Sequence, residues 1–164
     1  IGVAEAGDVT EINALLDQAI TQTRMMVKGL CPVDIDAEGL IFALQELAAQ
    51  VESVFSVQCR LVCDESITFS DNVMATQIYY IVQEAINNAI KHARPGKIDI
   101  IFNRKIGAIT LSIDDNGAGF SKGSGRPGGM GISIMKYRAR MINAILDVIR
   151  NHTGGTSVIC ILKK

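Results

Sequence analysis

Between Val9 and Leu30 the apolar positions return in alternating steps of three and four. Val9, Ile12, Leu16, Ala19, Met26 and Leu30, with Thr23 as the polar member, make a heptad seam. Asp8, with Glu11 three residues later, reads as its N-cap. Leu15, Ile20 and Val27 widen the stripe to the breadth that a helix bundle buries. Gly29 and Pro32 then break the chain. The spacing predicts one helix over 9–30 that needs a partner helix, from another copy or from further sequence. Packing on its own domain is the other way to cover such a stripe.

Leu40, Ala43, Leu44, Leu47, Val51 and Val54 fall at helical spacing and predict a second helix over 37–55. Val57, Cys59, Leu61 and Cys63 alternate with polar neighbours, so a strand over 57–64 follows. A third helix runs from an N-cap at Asp71 to about His92, where Pro95 and Gly96 stop it. Strands over 97–103 and 108–114 meet in a hairpin turn at Lys105-Ile106-Gly107. Gly123, Gly125, Pro127, Gly128 and Gly129 mark 121–129 as a mobile loop. A helix over 132–143 comes next, then strands over 144–150 and 156–162 joined by a turn at 151–155. Helices come early and strands pair late. This order predicts an α/β (α+β) two-layer sandwich, with a mixed, largely antiparallel sheet of about five strands covered by about three helices. One dimerisation-type helix precedes it, which divides the chain into 1–32 and 33–164.

Composition narrows the field. With 164 residues, 48% hydrophobic and 20% charged, the chain suits a globular domain with a modest extension and not a disordered one. A net charge of −1 gives no basic excess for nucleic acid or an anionic membrane. No stretch approaches the ~18 apolar residues that span a bilayer, and no signal peptide is visible after Ile1. A chain that opens on Ile reads as part of something longer. Cys31, Cys59, Cys63 and Cys160 form no metal-ligand spacing with each other or with the two histidines, and read as reduced thiols of a cytoplasmic protein.

Three short stretches carry chemistry. At ~100° per residue, Glu84, Asn88 and Lys91 share one stripe of the third helix, opposite Ile78, Val82, Ala85, Ala89 and Ala93. A carboxylate can accept a proton, an amide oxygen suits Mg²⁺, and an ammonium neutralises phosphate. A solvated amphipathic face gives the same pattern. In Ser112-Ile113-Asp114-Asp115-Asn116-Gly117-Ala118-Gly119 a strand ends at two acids and then turns tightly. An acid at a strand end accepts from an amino group, although a plain Asn-Gly turn reads alike. Gly128-Gly129-Met130-Gly131 opens a helix, where free N–H groups favour anions; it is neither a P-loop nor a dinucleotide fingerprint.

In order and spacing, these stretches resemble the ATP-binding domain of sensor histidine kinases, within the superfamily of gyrase, heat-shock chaperone and mismatch-repair ATPases. Gln83 to Ala93 looks like the N box, Asp115-x-Gly117-x-Gly119 like the first glycine box, and Gly129-Met130-Gly131-Ile132 like the second. Met135-Lys136-Tyr137-Arg138, Gly155-Thr156, Gly29-Leu30-x-Pro32 and Gly39-Leu40 resemble the nitrate/nitrite-sensor branch, whose lid is short. The resemblance implies Mg²⁺ on Asn88, Glu84 as the catalytic carboxylate, and phosphate contacts from Lys91. It implies Asp115 on the adenine amino group with Thr156 beside it, and room for the purine and lid at Gly117 and Gly119. Gly129 and Gly131 would frame the triphosphate. It also implies a cytoplasmic homodimer in the full-length protein, transfer of the ATP γ-phosphoryl group to a histidine, and relay to a response regulator, with no nucleic acid or membrane contact by this segment. Neither His92 nor His152 is followed by an acid, so the acceptor histidine is expected on a helix that this chain lacks. The alternative on the same fold is a serine kinase of the anti-sigma-factor type or another ATPase of the superfamily.

Overall fold

A computed structural model of the chain describes residues 35–69, 71–105, 107–119 and 129–163. The helix expected over 9–30 and most of the loop expected over 121–129 lie outside these residues. Helix α1 covers Leu40–Phe55 and buries Leu40, Leu44, Leu47, Ala48 and Val51, the face that its apolar period defined. It starts three residues later than the periodicity suggested, because Ala37 to Gly39 form a turn. Strand β1 is Gln58–Cys63. Helix α2, Asn72–Asn88, begins where Asp71 accepts the Val73 N–H at 2.8 Å, as an N-cap should. It then widens into a π-helical turn, Ala89–Ala93, which the sequence pattern did not foretell. Strands β2, Lys97–Lys105, and β3, Ala108–Asp115, form the expected hairpin. Helix α3, Met130–Met141, precedes β4, Ala144–Arg150, and β5, Thr156–Lys163.

These five strands make one sheet in the order β1-β2-β3-β5-β4. The β1–β2 pair is parallel, joined by the α2 crossover, and the other three pairs are antiparallel. The sheet is therefore mixed and largely antiparallel, in line with the sequence. Its inner residues, among them Cys59, Ile98, Ile100, Phe102, Leu111, Ile113, Leu146, Val158 and Cys160, form one core with the helices. Phe69 meets Phe102 edge to face, with ring centroids 5.7 Å apart. On the other face of the sheet, Val62, Ile145, Ile149 and Ile161 stay exposed. No helix among the described residues is long and apolar enough to cross a membrane.

The helical segments end at residues other than glycine. Ser56, Arg94 and Asn143 adopt left-handed backbone at φ of 54°, 46° and 54°, ending α1, the π-helical turn and α3. The side chain of Glu52 accepts the Cys59 N–H at 2.9 Å and so ties the end of α1 to β1. Cys59, Cys63 and Cys160 are free thiols. Burial, helped by the carboxylates of Glu52 and Asp99, pushes the Cys59 thiol from 9.0 up to about 12. Its folded-state value lies above the unfolded one, so the stability it contributes is complete below pH ~9 and is lost as pH rises towards the folded value. Denaturant midpoints measured at rising alkaline pH should fall, and Cys59→Ala should make that decline shallower. Equal slopes for the two proteins would refute this origin.

Candidate functional site

The site grows from α2. Beyond its exposed first turn it is covered on most sides, with Ile78, Ile81 and Val82 fully buried and Tyr80 and Gln83 buried as well. The buried face is thus broader than the five-residue stripe read from the sequence, because α1, α3 and the sheet all pack against this helix. Glu84 and Asn88 emerge on the part left half-open. One turn apart, they meet: the Asn88 side-chain nitrogen donates to a Glu84 carboxylate oxygen at 3.2 Å. That bond fixes the amide and leaves its oxygen available as an acceptor. Lys91 is exposed in the π-helical turn. A wider turn advances fewer degrees per residue than an α-helix, so Lys91 sits further from Asn88 around the axis than the uniform α-helical spacing implied.

Gly131 closes this corner. A Cβ there would collide with the Glu84 carboxylate and lie 3.1 Å from the Asn88 side-chain nitrogen. The first turn of α3 therefore rests on the Glu84–Asn88 pair. Gly129 is the exposed N-cap of α3, and its carbonyl accepts the Ile132 N–H at 3.1 Å. A Cβ at Gly129 would meet open space. Arg138, lower on α3, donates to Gln77 at 2.9 Å and stacks 4.5 Å over the Tyr80 ring, which pins α3 along α2.

The two acids at the end of β3 have opposite fates, because strand side chains alternate. Asp114 faces away from the helices and accepts from Ser112 at 2.9 Å and from Ser157. Asp115 follows Leu111 and Ile113 on the inner face and is buried. One of its carboxylate oxygens accepts the Gly117 N–H at 2.8 Å. The chain beyond folds onto the end of α2, where Ala118 N–H donates to the Ala93 carbonyl at 2.9 Å. A side chain at Gly117 would strike Ala93, and one at Gly119, with φ +70°, would strike the Gly154 carbonyl. Packing thus gives both glycines a reason beyond the space for a ligand that the sequence suggested.

Two asparagines were missed as more than turn residues. Asn116 accepts the Gly96 and Lys97 N–H groups, each at 2.9 Å, and so locks the end of β3 to the start of β2. Asn151 reaches from the β4–β5 turn to the Asp115 carbonyl at 2.8 Å and the Thr156 carbonyl at 3.2 Å. The signal in both cases was the residue type, since Asn side chains bond nearby backbone in turns. Three of their partners, Gly96, Lys97 and Asp115, though, lie 19 to 36 residues away. Thr156 itself is half-buried at the head of β5. The fold therefore gathers Glu84, Asn88 and Gly131 at one corner, and Asp115, Gly117, Gly119 and the Gly155-Thr156 turn at another, linked through Ala93.

Known proteins resemble this chain in sequence and in fold. The chain is 27% identical over 148 residues to the oxygen sensor histidine kinase NreB of Staphylococcus carnosus (strain TM300), covering 90% of this chain and 43% of that protein. It is 26% identical over 147 residues to the sensor histidine kinase LiaS of Bacillus subtilis (strain 168), covering 90% of this chain and 40% of that one. The chain thus spans less than half the length of these relatives. Among solved structures, the ATP binding domain of PrrB from Mycobacterium tuberculosis superposes with a TM-score of 0.60 at 19% identity, over 74% of this chain and 90% of that one. The histidine kinase domain of the blue-light activated kinase from Erythrobacter litoralis EL346 gives 0.62 at 17% identity, over 85% and 68%. These likenesses show the fold, an open five-stranded sheet under three helices. The family described as histidine kinase-, DNA gyrase B- and HSP90-like ATPase matches residues 74–164, from the first turn of α2 through β5, and it is to this ATP-binding family that the chain belongs.

Proposed function

We propose that this chain is the catalytic ATP-binding region of a two-component sensor histidine kinase. It would bind Mg²⁺-ATP and present the γ-phosphoryl group to a histidine outside this chain, for relay to a response regulator. The observation that carries this reading is the Glu84–Asn88 bond beneath Gly131, at the end of the helix whose π-helical turn supports the Asp115 loop. The two sensor-kinase relatives supply the reaction class. His92 and His152 are both exposed, one in the π-helical turn and one in the β4–β5 turn, and neither stands on a regular α-helix. The heptad seam over 9–30 supports pairing of two copies in the full-length protein through helices of residues 1–32, with 33–164 as the catalytic part. It also supports the sensor-kinase reading over the serine-kinase one.

Each residue has a task in this scheme. Asp115 has one carboxylate oxygen engaged by the Gly117 N–H, and the other accepts the exocyclic amino group of adenine. Guanine carries an oxygen at that place and meets a negative charge instead. Thr156 lies beside the purine. Gly129 and Gly131, at the N-terminus of α3, and Lys91, on the π-helical turn, face the phosphates and offset their charge. Asn88 fits a divalent cation because its amide nitrogen is bonded to Glu84 and its oxygen remains free. Mg²⁺, when bound, neutralises phosphate charge during transfer. Glu84 holds the amide in place and accepts a proton from the attacking group.

Titration with a fluorescent ATP analogue tests the scheme. Asp115→Asn removes a charged acceptor worth about 1.5–3 kcal/mol, so binding should weaken at least about tenfold. Asn88→Ala should abolish the dependence of binding on Mg²⁺. Unchanged binding in both variants would overturn the reading.

The two tight glycines should respond differently to alanine. At Gly131 the obstacle is the far end of the Glu84 side chain, which can swing away. Gly131→Ala should keep its melting temperature and lose phosphoryl transfer. At Gly155 the obstacle is the Asp115 backbone itself, so Gly155→Ala should lose about 1–3 kcal/mol of stability. Calorimetry beside a transfer assay with the full-length kinase separates the two. Equal melting losses would contradict this contrast.

A further inference from the structure

Asn151 lies outside every motif that carries the family likeness, yet its side chain makes the direct hydrogen bond from the β4–β5 turn to the main chain of Asp115. Its amide nitrogen donates to the Asp115 carbonyl at 2.8 Å and to the Thr156 carbonyl at 3.2 Å. Its amide oxygen faces the other way and closes its own turn, accepting from the Thr153 N–H at 3.2 Å and the Thr153 hydroxyl at 2.7 Å. Its backbone N–H donates to the Gly155 carbonyl at 3.0 Å. Gly155 in turn lies so close to the Asp115 backbone that no Cβ fits between them, and Gly119 lies equally close to Gly154. One amide therefore spans the end of β3 and the head of β5, the two segments that carry the acid and the threonine at the purine end. Both of its acceptors are backbone atoms of those residues, and their direction sets where each side chain points.

We infer that Asn151 is a positioning residue for base selection: it holds the Asp115 backbone so that the carboxylate meets the amino edge of a purine. This inference rests on the reading of Asp115 given above. Without the bond, the Asp115 carbonyl loses a donor, the strand end is free to tilt, and the carboxylate no longer distinguishes an amino group from an oxygen. Affinity due to the phosphates is carried by α2 and α3, so it stays.

The test is the ratio of affinities for ATP and inosine triphosphate, which carries an oxygen where adenine carries the amino group. It is measured calorimetrically on the chain with Mg²⁺, for wild type, Asn151→Asp, Asn151→Ala and Asp115→Asn. Asn151→Asp keeps the turn-closing oxygen and replaces only the donor by an acceptor. Asn151→Ala removes both without adding charge. The ratio should fall about five- to tenfold in both, through weaker ATP binding, with inosine triphosphate affinity unchanged. Loss of fold alone would lower both affinities together. If Asp115→Asn collapses the ratio while either folded Asn151 variant keeps it, the role given to Asn151 is overturned and that of Asp115 stands. If Asp115→Asn also keeps it, the reading of Asp115 fails, and this inference with it. Melting more than about 10 °C below wild type in both Asn151 variants would assign the residue to the fold and overturn the proposal equally.

Discussion

Asp115 takes a carboxylate out of water where β3 leaves the apolar layer, and a buried carboxylate is tolerated only where donors meet it. The protein supplies one such donor to the side chain, the Gly117 N–H, and secures the backbone behind it through Asn151. In the reading proposed above, the second carboxylate oxygen is the one that meets the adenine amino group. That placement, set by the alternation of a single strand, is what the proposed recognition of the purine rests on. Asp114, one residue earlier, points to the other face and saturates itself on Ser112 and Ser157.

Close approach of backbones is the second constraint. Gly117 against Ala93, Gly119 against Gly154 and Gly155 against Asp115 bring three loops within a distance that forbids a side chain. A fourth glycine, Gly131, performs the same service for the Glu84–Asn88 pair. Backbones this close leave the loops few alternative conformations in the folded state. Arg138, bonded to Gln77 and stacked over Tyr80, ties the later part of α3 to α2.

Much of this was legible in the residues. The period-two run at 57–63 told strand from helix, because that strand has one apolar face over the core, and the strands expected over 97–103 and 156–162 were placed by the turns beside them. Asp71 announced its helix through a capping carboxylate. The glycines at 117, 119 and 131 stood out, though the reason for them, a neighbour's backbone or carboxylate, belongs to tertiary structure. The π-helical turn was illegible: nothing in Ala89 to Ala93 differs from ordinary helix formers. The left-handed ends at Ser56, Arg94 and Asn143 carry no glycine to mark them. Asn116 and Asn151 were visible only as turn formers, since a long-range hydrogen bond leaves no local pattern.

The strand order has a consequence for how the molecule is made. β5, the last of the described strands, lies in the interior of the sheet, between β3 and β4. Until it is in place, β4 has no ladder partner, β3 presents a bare edge, and neither Gly155 nor Thr156 stands beside Asp115. A ribosome must therefore release the chain past β5 before the corner around Asp115 is complete. Vectorial synthesis leaves this end of the molecule to be closed last, when the final strand slots inward between two that precede it.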